Sequence, residues 1–265
     1  MQFSFQKMQG AGNQILVVDQ RGKESVSPSA ELVHALRKTA AGDVFDQLMW
    51  LNPPQSPSAI ASYRVFNNDG SEVEQCGNGV RCVAVLLAQK NGGLDEMLLD
   101  SPTGIVEARV VGPQRASVNM GPPEFNDEIA QLEVNGVHID VNVVSMGNPH
   151  CVLDVADVNA ADVAGLGPAI EHHACFPNRS NVGFMHVVDR ATIDLRVFER
   201  GAGETLACGT GACAAVVSGQ RRKMLDDEVV VRLPGGQLVV SWRGQRDAVW
   251  LTGDAELISE GIIDL

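Results

Sequence analysis

Alternation of apolar and polar residues dominates this chain. Successive side chains of a strand face opposite ways, so alternation marks a sheet with one covered face. In the first half it predicts strands at Phe3–Lys7, Ile15–Asp19, Ala59–Phe66, Met97–Ser101 and Ile105–Val111. In the second half it predicts Val137–Val144, Cys151–Val155, Val182–Val188, Ala191–Glu199, Val229–Leu233, Leu238–Trp242 and Ala248–Thr252. Asn135-Gly136 is a tight-turn signal. Helical spacing marks four segments. Ser29–Ala40 follows Pro28, with Ser29 as its cap. Ala161–Ile170 is interrupted by Gly165 and Gly167. Gly79–Lys90 and Gly211–Arg222 are apolar on nearly all their inner turns, which predicts helices buried among strands.

The segments ahead of the last two helices repeat each other. Cys76-Gly77-Asn78-Gly79 and Cys208-Gly209-Thr210-Gly211 stand 132 residues apart (208 − 76). Without a gap, the same offset aligns Arg64-Val65-Phe66 with Arg196-Val197-Phe198, and Glu72 with Glu204. It also aligns Pro102 and Gly104 with Pro234 and Gly236. This register predicts an α/β (α+β) fold of two pseudo-symmetric domains, each ordered strand, loop, cysteine, buried helix, strand, strand. Met120-Gly121-Pro122-Pro123 breaks the periodicity near the midpoint. The expected domains are residues 1–120 and 121–265, with the last strand near the C-terminus a candidate for completing the first. The Pro-rich stretch from Asn52 to Ser58 reads as an exposed loop.

With 265 residues, 45% hydrophobic and 20% charged, the chain has the composition of a soluble globular protein of two ordinary domains. Its net charge of −13 argues against nucleic acid and anionic membranes as partners. The N-terminal residues alternate, so no signal peptide is expected. No run reaches the roughly 18 apolar residues that span a bilayer. The expected location is the cytoplasm, where the six cysteines would be reduced thiols. They lack metal-ligand spacing, so no metal site is expected.

A cysteine followed by glycines and then a helix lies at a helix N-terminus. The unpaired N–H groups and the positive dipole end there favour an anion. Such settings lower a thiol pKa from about 8.5 into the range of roughly 3.5–7.5. The same N–H groups suit a substrate carboxylate. One such cysteine alone reads as a small buried hydrophobe; its duplication with loop and helix intact points to function. Two halves facing each other would place two thiols on opposite sides of one carbon, suited to removing a proton from one face and returning it on the other. Cys82, Cys151, Cys175 and Cys213 have no such frame and read as core or neutral positions. Gly10-Ala11-Gly12 and Gly201-Ala202-Gly203 lack the spacing of a nucleotide loop. Gly147-Asn148-Pro149-His150 reads as a turn with a structural loop histidine, and Glu199-Arg200, taken alone, as an exposed ion pair.

These segments resemble diaminopimelate epimerase, a pyridoxal-phosphate-independent amino-acid epimerase family. The likeness runs through Lys7–Asn13, Phe45-Asp46-Gln47, Phe66–Gly79, Ser145–Val152, Asn181–Met185 and Glu199–Ala215. It implies two α/β domains, each a barrel-like sheet around a central helix. It implies Cys76 and Cys208 as the acid–base pair that interconverts LL- and meso-diaminopimelate, in lysine and peptidoglycan-precursor synthesis. The implied substrate set is Asn13, Gln47, Asn67, Asn148, Asn181 and Arg200, with Gly77, Asn78, Gly209 and Thr210 offering backbone N–H groups. His150 and Glu199 match positions that support activity, and Glu199 also borders the substrate. No cofactor and no metal are implied, and the family suggests a homodimer. Gln14 stands where the family usually has Asp, Asp43-Val44 where an Ile-Gly-like pair is usual, and Thr210 where Ser is common. The competing readings are a same-fold racemase of proline, hydroxyproline or another amino acid, and a thiol redox protein.

Overall fold

The computed structural model describes residues 2–22, 27–38, 45–74, 76–125, 130–244 and 246–265. The chain divides into two units, Met1–Asn119 with Thr252–Leu265, and Met120–Leu251. The first holds β1 (Gln2–Gly10), β2 (Asn13–Asp19), α1 (Ala30–Lys38), β3 (Gln47–Asn52), β4 (Ala61–Asn67), β5 (Glu72–Val73), α2 (Gly77–Lys90), β6 (Glu96–Ser101), β7 (Gly104–Gly112) and β8 (Arg115–Asn119). The second holds β9 (Glu124–Phe125), β10 (Ala130–Val134), β11 (Val137–Ser145), β12 (Pro149–Asp154), α3 (Val163–Glu171), β13 (Asn181–Asp189), β14 (Thr192–Glu199), β15 (Gly203–Thr205), α4 (Gly209–Arg221), β16 (Glu228–Leu233) and β17 (Gly236–Ser241). Strand β18 (Trp250–Asp254) carries the chain back into the first unit, where β19 (Glu256–Asp264) pairs antiparallel with β1.

Both units are built by one plan. In each, a strand crosses through a helix to a parallel neighbour twice: β2–α1–β3 and β4–α2–β6, then β12–α3–β13 and β14–α4–β16. In the first unit the pairings run β19–β1–β2–β3–β4–β6–β7–β8. Strand β8 then meets β18, which leads through Ala255 into β19, so the run closes on itself as a barrel. At that seam Thr252 Oγ1 donates to Ser117 Oγ at 2.9 Å.

Helix α2 fills the first barrel, and every residue from Gly77 to Ala88 is buried. Helix α4 is likewise buried from Gly211 to Gly219. That is why neither shows an amphipathic stripe: a helix ringed by strands has no wet face. Outside the first barrel, α1 packs through Val33 and Leu36 onto Phe3, Phe5, Leu16, Val18, Leu48 and Trp50. Helix α3 covers the second sheet through Val163 and Ile170, against Leu153, Val182 and Phe184. Among the described residues no helix is long and apolar enough to cross a membrane.

Elements the alternation rule misses have a physical reason. In β3, Leu48, Met49, Trp50 and Leu51 are all fully buried; a strand covered on both faces reads as a continuous apolar run. Strand β19 is exposed along nearly all its length, so it too shows no alternation. Helix α1 runs from Ala30 to Lys38 with Ser29 Oγ accepting from Leu32 N–H; residues 39 and 40 lie outside the described residues. Asn135 and Gly136, with φ of 53° and 77°, make the tight turn between β10 and β11.

Candidate active site

Strand pairing assembles the same four positions in each unit. In the first, Ile15 lies beside Gln47 across β2 and β3, and Gln47 lies opposite Asn67 across β3 and β4. In the second, His150 lies beside Asn181 across β12 and β13. Val182 opposite Phe198 puts Asn181 level with Glu199. Asn13 precedes Ile15 by two residues, as Asn148 precedes His150. The quartet Asn13, Gln47, Asn67 and Cys76 therefore corresponds to Asn148, Asn181, Glu199 and Cys208. The last two positions keep the offset of 132, whereas the first two stand at 135 (148 − 13) and 134 (181 − 47). One residue of difference arises in the connections through α1 and α3 and two between the second and third positions, which hides this part of the repeat from a gapless comparison.

Each cysteine is the N-cap of its buried helix, so the helices begin at Gly77 and Gly209, two residues earlier than their apolar pattern suggests. Cys76 has extended backbone, and its Sγ accepts the Gly79 N–H at 3.2 Å. A side chain at Gly79 would run into Met49 on β3, and one at Gly211 would lie 3.1 Å from Val197 on β14. The glycines let each helix start sit flush on a central strand. Asn78 is buried, and its Oδ1 accepts from the equally buried Arg81 at 2.8 Å. Gln47 Nε2 donates to Asn67 Oδ1 at 3.2 Å, and Asn67 Nδ2 donates to Ser71 Oγ at 3.1 Å. Asn13 Oδ1 and Gln47 Oε1 are buried with no donor among the described residues. Such atoms are rare in a finished core and mark places where a ligand donor fits.

The second quartet is wired differently. Cys208 Sγ donates to Glu199 Oε2 at 3.1 Å, and Thr205 Oγ1 holds Glu199 Oε1 at 2.6 Å. Burial first, and the Glu199 charge second, push the Cys208 thiol well above its ordinary range. Asn148 links to this pair, with Nδ2 donating to Thr210 Oγ1 at 3.5 Å and Thr210 Oγ1 lying 3.6 Å from Cys208 Sγ. His150 Nε2 lies 3.0 Å from Asn148 Oδ1; the amide oxygen only accepts, so Nε2 carries the proton. Burial first, then the Arg200 charge, lower the His150 pKa from 6.5 to about 3, which leaves the ring neutral. Asn181 is buried and braced on both sides, donating to Pro149 O at 3.1 Å and accepting the Arg200 N–H at 3.0 Å. Arg200 is exposed, with Nη1 on Asn178 O at 3.1 Å.

Several local readings change. His150 sits buried in β12 and not in a loop. Glu199 and Arg200 form no exposed ion pair, because the carboxylate serves Cys208 and Thr205. Gly10-Ala11-Gly12 belongs to a hairpin turn, with Ala11 and Gly12 at φ of 52° and 80°. Gln14 is tied to Asp46, its N–H donating to Oδ2 at 2.8 Å; Asp43 and Val44 lie outside the described residues. Cys82, Cys151 and Cys213 are buried and Cys175 is exposed. Burial raises Cys82 and Cys151 to about 12, which makes them inert as thiolates. Thr205, Met49 and Val197 carry no sequence signal for their roles; only the strand register brings them to the cysteines.

The double α+β repeat is a class of fold whose solved members include an epimerase. A hydroxyproline epimerase from Agrobacterium vitis superposes with a TM-score of 0.72 at 17% identity, over 99% of this chain and 92% of that one. A PhzF-family phenazine biosynthesis protein from Bacillus anthracis gives 0.74 at 15% identity, over 100% of both chains. At these identities the likeness is one of fold. The sequence is more specific: the diaminopimelate epimerase family profile matches residues 5–126 and 142–258. Diaminopimelate epimerases from Alkalilimnicola ehrlichii and Thioalkalivibrio sulfidiphilus are 44% and 46% identical, each over 100% of both chains. The chain belongs to the diaminopimelate epimerase family and is an isomerase.

Proposed function

We propose that this chain interconverts LL- and meso-diaminopimelate by a two-base proton transfer between Cys76 and Cys208, with no cofactor. The observation that carries this reading is the repeated helix-capping cysteine, in a chain of the family named for that reaction. The two caps differ in a useful way. A donated backbone N–H favours the thiolate form of Cys76, whereas Glu199 holds Cys208 as a thiol. One cysteine is thus ready to accept a proton and the other to give one.

The Cys76 thiolate takes the α-proton, and its C–H electron pair is left on the α-carbon and its carboxylate. An α-proton beside a carboxylate is weakly acidic, so this state needs preorganised donors. The first N–H groups of the helices, at Gly77, Asn78, Gly209 and Thr210, have no acceptor within their helices and suit that carboxylate. Cys208 then delivers its proton to the opposite face and becomes the thiolate beside Glu199. Resetting the site needs Cys76 to release its new proton and Cys208 to take one, both exchanged with solvent, and repulsion from the Glu199 carboxylate favours the uptake at Cys208. Passage in the other direction reverses the roles. Arg200 matches the distal carboxylate bidentately, and the amides of Asn13, Gln47, Asn67, Asn148 and Asn181 suit a zwitterion with two polar ends. Neutral His150 holds Asn148. The setting is cytoplasmic synthesis of lysine and peptidoglycan precursors, with a homodimer as the working form.

The test is solvent-deuterium incorporation into LL-diaminopimelate, read by NMR and chiral analysis, in the native protein, Cys76→Ser and Cys208→Ser. The reading expects deuterium at one α-carbon with formation of the meso isomer, and loss of that product in either variant. No exchange by reduced native protein, with exchange on proline or hydroxyproline instead, would move the substrate to the same-fold racemases.

A further inference from the structure

The buried carboxylate Glu171 has no task in the mechanism above. Glu171 ends α3 and is 3% exposed. Its Oε1 accepts the Gly201 N–H at 2.9 Å, and Arg179 Nη1 stands 3.6 Å from the same oxygen. Burying a carboxylate is costly unless it is bonded, and among the described residues its hydrogen bond goes to the residue after Arg200. The Gly201-Ala202-Gly203 turn needs such a hold, since both glycines sit at positive φ, 76° and 86°. Arg200 is then gripped from two sides, its own N–H by Asn181 and the next N–H by Glu171.

The first repeat holds the matching turn in another way. Shifting Gly201–Gly203 by 132 gives Asp69–Ser71. There Asp69 Oδ1 accepts from Ser71 N at 2.9 Å and from Ser71 Oγ at 2.6 Å. Each repeat thus braces the turn after its third quartet position, Asn67 or Glu199, with a carboxylate. The second turn, built of Gly and Ala, contains none and takes it from α3.

We propose that Glu171 is a positioning residue that fixes the Arg200–Gly201 turn and so aims the Arg200 guanidinium at the distal carboxylate of the substrate. This rests on the substrate reading above. The test compares full-length wild type, Glu171→Leu, Glu171→Asp and Glu171→Gln in steady-state epimerisation of LL-diaminopimelate, alongside amide hydrogen exchange at Gly201. Losing a charge-assisted hydrogen bond corresponds to about tenfold or more in affinity. Glu171→Leu is expected to raise KM by that factor with kcat changed less than about threefold, and to speed exchange at Gly201 selectively. Glu171→Gln keeps an acceptor oxygen and is expected to restore most of the KM and the protection. Should the leucine variant not fold, Glu171→Asp carries the test, because its shorter arm withdraws the carboxylate while keeping the charge. A folded variant without the Gly201 bond but with wild-type KM overturns the proposal, as does faster exchange spread over the whole unit. If wild type does not epimerise the substrate, the substrate reading fails, while selective exchange at Gly201 still reports on the brace.

Discussion

Glu199 occupies in the second repeat the strand-end position that Asn67 occupies in the first, each level with the amide of the preceding strand. A carboxylate stands in one copy and a neutral amide in the other. The carboxylate takes the Cys208 S–H at 3.1 Å, while Cys76 Sγ accepts the Gly79 N–H at 3.2 Å. This substitution between copies makes the two thiols chemically unequal.

Replacing Glu199 by Gln leaves the burial that chiefly raises the Cys208 pKa and removes the charge that adds to it. Cys208 should then alkylate faster at pH 8, by about tenfold for each unit its pKa falls, while epimerisation drops about 100-fold for lack of a well-held acid. Site-resolved mass spectrometry of iodoacetamide labelling checks the first half, and an unchanged Cys208 rate would overturn the electrostatic role given to Glu199.

The two helix-start glycines should differ in tolerance. A methyl at Gly79 runs into buried Met49, whereas at Gly211 it meets Val197 at 3.1 Å, where a small shift suffices. Gly79→Ala is expected to destabilise by about 1–3 kcal/mol, as overpacked cores do, and Gly211→Ala by less. Urea unfolding of the two variants decides; equal losses would mean that Met49 yields freely.

The aligned pairs Arg64–Glu72 and Arg196–Glu204 are the same two-pronged ion pair built twice. Arg64 donates to Glu72 at 2.7 Å through both Nε and Nη2, and Arg196 to Glu204 at 2.6 and 2.9 Å. Both lie at partly exposed sites, where such pairs contribute about 0–1 kcal/mol. Each also donates through Nη1 to a third acceptor, Arg64 to Ser27 Oγ at 2.8 Å and Arg196 to Val158 O at 2.7 Å. Each arginine thus carries a third bond, so Arg64→Ala and Arg196→Ala should cost similar amounts, within about 1 kcal/mol of each other. Thermal midpoints of the two variants give the comparison.

His150 makes stability pH-dependent. Its folded pKa of about 3 lies below the ordinary 6.5, so in that window the unfolded chain binds the proton first. The contribution is present above about pH 6.5 and is lost as pH falls toward 3, at about 1.4 kcal/mol per pH unit. His150→Gln should flatten the decline between pH 6 and 4 relative to wild type. Denaturant unfolding at stepped pH measures both slopes, and identical slopes would show that His150 is not protonated on unfolding.

What the sequence determined by itself is what lies contiguous along it. The Cys-Gly-x-Gly frames, the apolar helices that follow them and the common offset were legible because a helix N-terminus is a local object, made by a cap, glycines and a buried turn. The tertiary structure decided the rest. Ile15 and Gln47, or His150 and Asn181, become neighbours only through parallel pairing across helical connections. Alternation reports burial of one face only, so β3, buried on both, and β19, exposed along most of its length, gave no such signal. Glu199 looked like half of a surface ion pair. Its work on Cys208 arises because strand register and the cap geometry of α4 bring a carboxylate and a thiol, nine residues apart in the chain, within 3.1 Å at a half-buried site.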